Sequence, residues 1–211
     1  MKTVKNGHKR HIRLDAVLLI IGVVCLSIFA GISYYNAMEE KRSRETVQQL
    51  RSMRDVGIAP RVDSSQTDTE KQDAITTSYE RLFEANADMI GWLNIPGTQI
   101  DYPVMQTSDN TYYLDHNDNQ EYDKNGSIFL DYNCSVYPRS TNMIVYGHHM
   151  KSGNMFGNLQ KYAKESYGKK HSVITFDTIY EKAQYQVMYV FRSQVYNEDD
   201  IVFKYYQFIE A

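Results

Sequence analysis

The sequence is poor in cysteine and tryptophan, with two Cys and one Trp in 211 residues. Two cysteines build no disulfide framework, and Cys25 lies inside an apolar run where Cys134 has no reason to meet it. Such sparse use fits the cytoplasm and equally fits the outside of a bacterium that relies little on disulfides. An excess of one charge is also missing: 23 Lys and Arg stand against 26 Asp and Glu, a net charge of −3. That balance implies no general attraction to nucleic acid, and no nucleic-acid partner is expected. Metal-ligand spacing is absent too. His148 and His149 are neighbours in sequence, and neighbours on a strand point to opposite faces, so they would not share an ion. His116 and His171 stand at no ligand spacing to either. Neither a metal nor a cofactor is expected. What is abundant is tyrosine, 18 residues, a side chain that favours strands and half-buried surfaces.

Along the chain four textures follow one another. Residues 1–13 are basic, with Lys2, Lys5, Lys9, Arg10 and Arg13. An apolar run follows from Ala16 to about Tyr35, close to the roughly 20 residues a spanning helix needs. Lys and Arg ahead of it place the N-terminus in the cytoplasm and everything after the span outside. A cleaved signal peptide would need a shorter core and a small-x-small exit, and Ser33-Tyr34-Tyr35-Asn36-Ala37 is a poor one. The expected organisation is a cytoplasmic basic segment over 1–13, a transmembrane signal anchor over 14–35, a stalk or linker over 36–73 and a folded domain over 74–211. The first half of the stalk reads as a helix leaving the membrane and the second half as a flexible spacer.

Within the domain, helical spacing of Tyr79, Leu82, Phe83 and Ala87 predicts a helix over 75–87. Two short strands joined at a Pro-Gly turn are predicted over 90–99 and 100–106. Further strands are predicted at 127–132, 142–147, 173–176 and 185–191. A helix is predicted over 154–167 with Met155, Phe156, Leu159 and Tyr162 inward, and another over 199–211. Many short strands with few helices point to a mainly β domain, a barrel or a sandwich.

The chemistry concentrates at Tyr146-Gly147-His148-His149-Met150, at the end of an apolar strand. A rigid strand can hold a histidine at a cleft mouth, and histidine exchanges protons near neutral pH. The same residue could equally be a solvated or core-satisfied histidine. Cys134, the only cysteine beyond the apolar run, is a candidate nucleophile beside Arg139 or an incidental loop cysteine. Asp115, Asp118, Glu121 and Asp123 form an acidic loop that reads as solvated, with calcium the other option.

Five stretches together resemble the class B sortases. They are Ile90-Gly-Trp-Leu-Asn-Ile-Pro-Gly-Thr-Gln-Ile-Asp-Tyr-Pro-Val-Met-Gln106, Asp109-Asn-Thr-Tyr-Tyr-Leu114, Ser127-Ile-Phe-Leu-Asp-Tyr132, Asn142-Met-Ile-Val-Tyr-Gly-His-His-Met150 and Gly153-Asn-Met-Phe-Gly-Asn-Leu159. They run in order through roughly residues 75 to 195. The resemblance implies a sortase-like β-barrel with an N-terminal helix, carried on a transmembrane anchor with its catalytic domain outside a Gram-positive cell. It implies a cell-surface transpeptidase that cleaves a C-terminal sorting signal through a cysteine acyl-enzyme. The partners would be secreted proteins bearing that signal and a cell-wall peptide or pilin amine. His148 matches the family's catalytic histidine, the general acid and base. The family's nucleophile sits in a later TLxTC strand and an arginine follows it. Neither the nucleophilic Cys nor the Arg is present in this chain, so the C-terminal barrel strands are expected to be missing from it and the chain as given to be inactive. The alternative is a non-catalytic sortase-like peptide-binding or accessory module, and a third reading is a tethered β domain of the envelope.

Overall fold

A computed structural model describes residues 14–57, 79, 82–178, 180–194, 196, 199 and 204. The chain divides into two compact units, Met1–Arg42 and Ser43–Ala211. The first unit is helical wherever it is described, as part of α1 (Leu14–Gly57). Its apolar side chains face outward all round, with Leu18, Leu26 and Phe29 among the most exposed. The helix is long and apolar enough to cross a membrane, with a mean hydropathy of 2.7 over its most apolar 18 residues.

The second unit opens with the last turns of α1, which have an inward side. Val47 and Leu50 are buried among the residues of the β domain. The reading of 36–73 as a spacer gave this stretch no packing; its apolar residues are too widely spaced among charges to stand out in sequence. Arg51 and Arg54 add a polar clasp. Arg51 Nε lies 3.0 Å from Asp101 Oδ2 and Arg54 Nη1 lies 3.1 Å from Asp101 Oδ1. The Trp92 indole N–H donates to the same carboxylate at 2.7 Å, and the Arg54 guanidinium sits 4.5 Å over the Trp92 ring.

Burial works to raise the Asp101 pKa, but the Trp92 hydrogen bond and the two guanidiniums outweigh it and hold the carboxyl below its ordinary range. A carboxylate lowered in the folded state stabilises above its unfolded pKa, and that contribution is lost as pH falls through the folded value. Asp101→Asn should therefore cost about 1–2 kcal/mol at pH 7, a modest figure because solvent screens the clasp. The two proteins should converge in urea unfolding as pH drops below about 4. Equal stability at pH 7 would show that the clasp contributes nothing.

The domain is one six-stranded sheet in the order β4-β3-β2-β1-β5-β6. The strands are β1 (Met89–Asn94), β2 (Asp101–Met105), β3 (Ile128–Leu130), β4 (Val145–Tyr146), β5 (Val173–Thr178) and β6 (Lys182–Gln186). All neighbours are antiparallel except β2 and β3, which pair Val104 with Ile128 in parallel. A parallel neighbour cannot be reached by a tight turn, so the chain makes a long crossover through residues 106–127. This crossover carries a 3-10 helix, Tyr112–Leu114. The mainly β expectation holds, and the hairpin of β1 and β2 falls where the Pro-Gly turn put it.

Other elements differ from the sequence reading. The expected helix at 154–167 is a 3-10 helix over Gly157–Ala163 followed by α2, Glu165–Lys170. Met155 and Tyr162 are buried as expected, while Phe156 and Leu159 are only partly so. β6 begins at Lys182 rather than Tyr185, and Met188 to Phe191 are exposed and not in a strand. Residues 82–85 are helical; the rest of the 75–81 stretch, apart from Tyr79, lies outside the described residues. The helix expected over 199–211 lies outside them too, save for positions 199 and 204. The acidic loop is not uniformly solvated: Asp118 and Asp123 are 6% and 5% exposed. Asp118 turns inward where the crossover winds around Asn86, whose amide donates to the Asp118 carbonyl at 2.8 Å and to the Tyr113 hydroxyl at 3.1 Å; Asp123 Oδ1 accepts from the Asn125 backbone N–H at 2.9 Å and from its Nδ2 at 2.8 Å.

Candidate active site

β4 is two residues long because the chain must turn at Gly147. A β-carbon there would run into the Ile128 side chain and lie 2.9 Å from the Phe156 ring. Absence of a side chain lets the strand end press onto β3, and His148 follows at once. The His148 backbone carbonyl accepts from the Phe156 N–H at 2.9 Å. His149, by contrast, is exposed and bridges to Met155.

The His148 ring is partly exposed, with Nε2 2.6 Å from the Leu114 carbonyl oxygen. Leu114 ends the 3-10 helix of the crossover, and three devices fix it there. Asp109 Oδ1 accepts from the backbone N–H of Thr111 at 2.6 Å and of Tyr112 at 2.8 Å, capping the turn. Asn110 ties the same segment to the exit of β3: its Nδ2 donates to Asp131 Oδ2 at 2.9 Å and its Oδ1 accepts from the Tyr132 N–H at 3.0 Å. Gly126, at φ +58°, passes so close that a β-carbon would stand 2.6 Å from the Leu114 oxygen.

Asp131 is the hub beneath. It is 3% exposed. Its Oδ2 also accepts from the Tyr146 hydroxyl at 2.8 Å, and its Oδ1 accepts from the Asn133 N–H at 2.9 Å. Gln106 Nε2 donates to the Asp131 and Cys134 carbonyls, each at 2.8 Å. Strands β3 and β4 and the crossover are thus joined by one buried carboxylate, bonded to Tyr146 two residues before His148.

Beside this strand end, an apolar cleft of about 500 Å³ runs across the sheet. Leu93, Phe176, Val145 and Phe156 line it, and Arg139 and Asn142 stand among its polar groups. Arg139 is engaged with Glu181 at 2.8 Å.

The other candidates fall elsewhere. Cys134 is buried in the core with Leu130, its Sγ 3.5 Å from the Ile144 N–H. Burial pushes its thiol pKa up, the Ile144 N–H opposes this and the Asp131 charge adds to it. A thiol so placed is a poor nucleophile; it is a core residue. Arg139, five residues on in sequence, serves Glu181 and Tyr185 instead. His116 stacks on Tyr112 at 4.1 Å, with Nδ1 2.9 Å from the Tyr112 carbonyl. His171 is buried with Nδ1 2.8 Å from the Pro96 carbonyl. Both are structural. Among the described residues no three His, Cys, Asp or Glu side chains gather as metal ligands. Sequence reading found His148 through its strand and glycine. It missed Leu114, Asn110 and Asp131, because a backbone carbonyl leaves no mark in sequence and a carboxylate after an apolar strand reads as a simple strand end.

Comparison with known proteins places these features. Residues 93–207 match the family model described as the sortase domain. The chain is 29% identical over 185 residues to sortase B of Staphylococcus aureus, covering 88% of this chain and 70% of that protein. It is 32% identical over 161 residues to sortase B of Listeria monocytogenes, covering 76% of this chain and 61% of that one. Among solved structures, sortase B from Bacillus anthracis in complex with AAEK1 superposes with a TM-score of 0.65 at 31% identity, covering 78% of this chain and 74% of the other. A Staphylococcus aureus sortase B–substrate complex superposes with a TM-score of 0.62 at 32% identity, covering 71% and 64%. The shared architecture is a curled, sheet-dominated half-barrel. The chain thus spans about 60 to 75% of the length of these relatives.

Proposed function

Because the chain belongs to the sortase family, and within it to class B, we propose that it serves as a cell-surface transpeptidase in which His148 is the proton-exchanging residue. A sorting signal near the C-terminus of a secreted protein is cut, the acyl group is held as a cysteine thioester, and an amine of a cell-wall peptide or pilin releases it. The observation that carries this reading is the placement of His148. It stands at the end of β4, partly open to solvent, with one ring nitrogen engaged by a fixed carbonyl. Such a histidine is held in orientation yet remains accessible to a reacting group. The apolar cleft at Val145 and Phe156 offers a surface for the side chains of an extended peptide. The nucleophile is neither Cys134, which is a core residue, nor Cys25, which lies in the apolar part of α1. The apolar helix fits a single-pass anchor with its N-terminus in the cytoplasm, the basic residues before it supplying the orientation.

The test is a transfer assay on the protein isolated from the membranes of its own cells, with fluorogenic sorting-signal peptides and an amine acceptor such as triglycine. Cleavage with formation of a peptide–amine product supports the proposal; a thioester trapped by hydroxylamine would identify the acyl step. Saturable peptide binding without cleavage would favour a non-catalytic binding module instead. Neither binding nor cleavage across a set of signals would sink both.

A further inference from the structure

A carbonyl oxygen can only accept a hydrogen bond. His148 Nε2 lies 2.6 Å from the Leu114 carbonyl oxygen, so the hydrogen between them belongs to Nε2. The ring is not turned over, because that would put Cε1 in the same place, far inside the about 3.3 Å of even short C–H···O contacts. Nε2 therefore carries hydrogen in the neutral ring as well as in the cation. The proton that comes and goes is the one on Nδ1, which has no partner among the described residues.

Resting on the transpeptidase reading above, we propose that Nδ1 of His148 is the atom through which protons enter and leave the reaction, and that Asp131 is the positioning residue that fixes this assignment. In acylation a cysteine thiolate forms the C–S bond of the thioester, the peptide C–N bond breaks, and the Nδ1 proton goes to the departing amine nitrogen. The ring is left neutral with hydrogen on Nε2. In the second half the acceptor amine forms the new C–N bond, its proton passes to Nδ1, and the C–S bond breaks to return the thiolate. Charge and protons balance over the two halves with no change at Nε2.

Asp131 acts at a distance through two arms. One arm holds Tyr146, two residues before His148 on β4, through the 2.8 Å hydroxyl contact. The other holds Asn110, four residues before Leu114, through the 2.9 Å amide contact. The carboxylate thereby sets the spacing between the strand that carries the ring and the segment that carries its carbonyl partner. Without it the tie between that strand and that segment is lost, the contact between Nε2 and the Leu114 carbonyl loosens, and the neutral ring can hold its hydrogen on either nitrogen.

The experiment is long-range proton–nitrogen NMR on the full chain in detergent micelles, labelled with 15N-histidine. It is read in mildly alkaline solution without substrate, with the His148 signals assigned from a His148→Gln sample. The expected result is a protonated Nε2 and a bare Nδ1. In Asp131→Ala and in Asn110→Ala the two nitrogen resonances should move toward each other as both tautomers fill. His171, whose Nδ1 faces the Pro96 carbonyl by the same geometry, should keep its own pattern and reports that the domain is folded. A protonated Nδ1 or an averaged pair in the unaltered protein overturns the atom assignment. Unchanged His148 signals in both variants, with His171 intact, overturn the role of Asp131. Should Asp131→Ala not fold, Asn110→Asp decides: it keeps the acceptor for the Tyr132 N–H and removes the amide donor to Asp131, and unchanged His148 signals in it overturn the role of Asp131. These spectra involve no turnover, so their failure is distinguishable from a failure of the transfer assay.

Discussion

Alanine at His148 is expected to lower the rate of peptide transfer by roughly 10²–10⁴-fold, the range typical of removing a general acid–base group. Its effect on stability should stay within about 0.5 kcal/mol, as for a surface change. The two magnitudes separate because of where the ring sits. It is partly exposed and makes a single side-chain hydrogen bond among the described residues, so deleting it opens no cavity and strands no buried charge. Both steps of the proposed transfer, in contrast, need a proton moved at the reacting nitrogen. The loss should appear in kcat, with KM for the sorting peptide little changed, because the surface proposed to bind the peptide is the cleft and not the imidazole. Steady-state kinetics and urea unfolding on the same preparations check both halves. A variant that keeps more than a tenth of the rate would remove His148 from the chemistry.

Asp118→Asn is expected to stabilise the protein above neutral pH and leave it unchanged in acid. Burial raises the Asp118 carboxyl, the nearby Asp123 charge adds to this, and the Ser127 hydroxyl opposes it; the result is a pKa of about 7. A group whose folded pKa lies above its unfolded one favours the fold fully below the unfolded value, and the advantage drains away as pH rises through the folded value. The loss for Asp118 therefore accumulates between about pH 4 and pH 7. The gap between 3.8 and about 7 corresponds to roughly 4 kcal/mol as an upper figure. Asparagine keeps an acceptor for Ser127 and has no charge to bury. Urea midpoints at pH 3.5 and pH 8 should therefore coincide for the two proteins at the first pH and differ at the second. A less stable Asp118→Asn at pH 8 would mean that the charged carboxylate is compensated by a favourable contact.

What could be read from sequence follows a physical line. The hairpin of β1 and β2 was legible because alternation, a Pro-Gly turn and β-formers all act locally between Met89 and Met105. β6 was misplaced because Val187 to Phe191 is the more apolar run, whereas Lys182–Gln186 pairs with β5 on a half-exposed edge where apolarity is not required. The stretch after His149 was legible as helical from its apolar spacing, but its division into a 3-10 and an α-helix was not, because the packing of Met155 and Tyr162 has no local pattern. The packing of Val47 and Leu50 was hidden inside a run of charges. At the site, a histidine after a strand glycine carries its own signal. Its carbonyl partner lies 34 residues earlier and could come from any residue type. The inward turn of Asp118 and Asp123 was illegible for the opposite reason: their residue type argues for solvent, and only contacts within the folded crossover, to Asn86 for the one and Asn125 for the other, overrule it.

The position of β1 in the sheet also has a kinetic consequence. It lies in the interior of the strand order, with β2 on one side and β5 on the other. The β2 side is contributed by its immediate successor, but the β5 side arrives much later, as in the Thr175 hydroxyl that meets the Asn94 carbonyl across 81 residues. Closing so large a loop costs chain entropy before any contact repays it, and domains dominated by such distant pairings fold slowly, on the scale of milliseconds to seconds. A chain emerging N-terminus first would make the β1–β2 hairpin early and then hold the free edge of Trp92 and Leu93 open until residues 173–178 arrive. During that interval the exposed edge is a template for pairing with another chain. The yield of folded protein should thus depend on how quickly the second half of the domain follows the first.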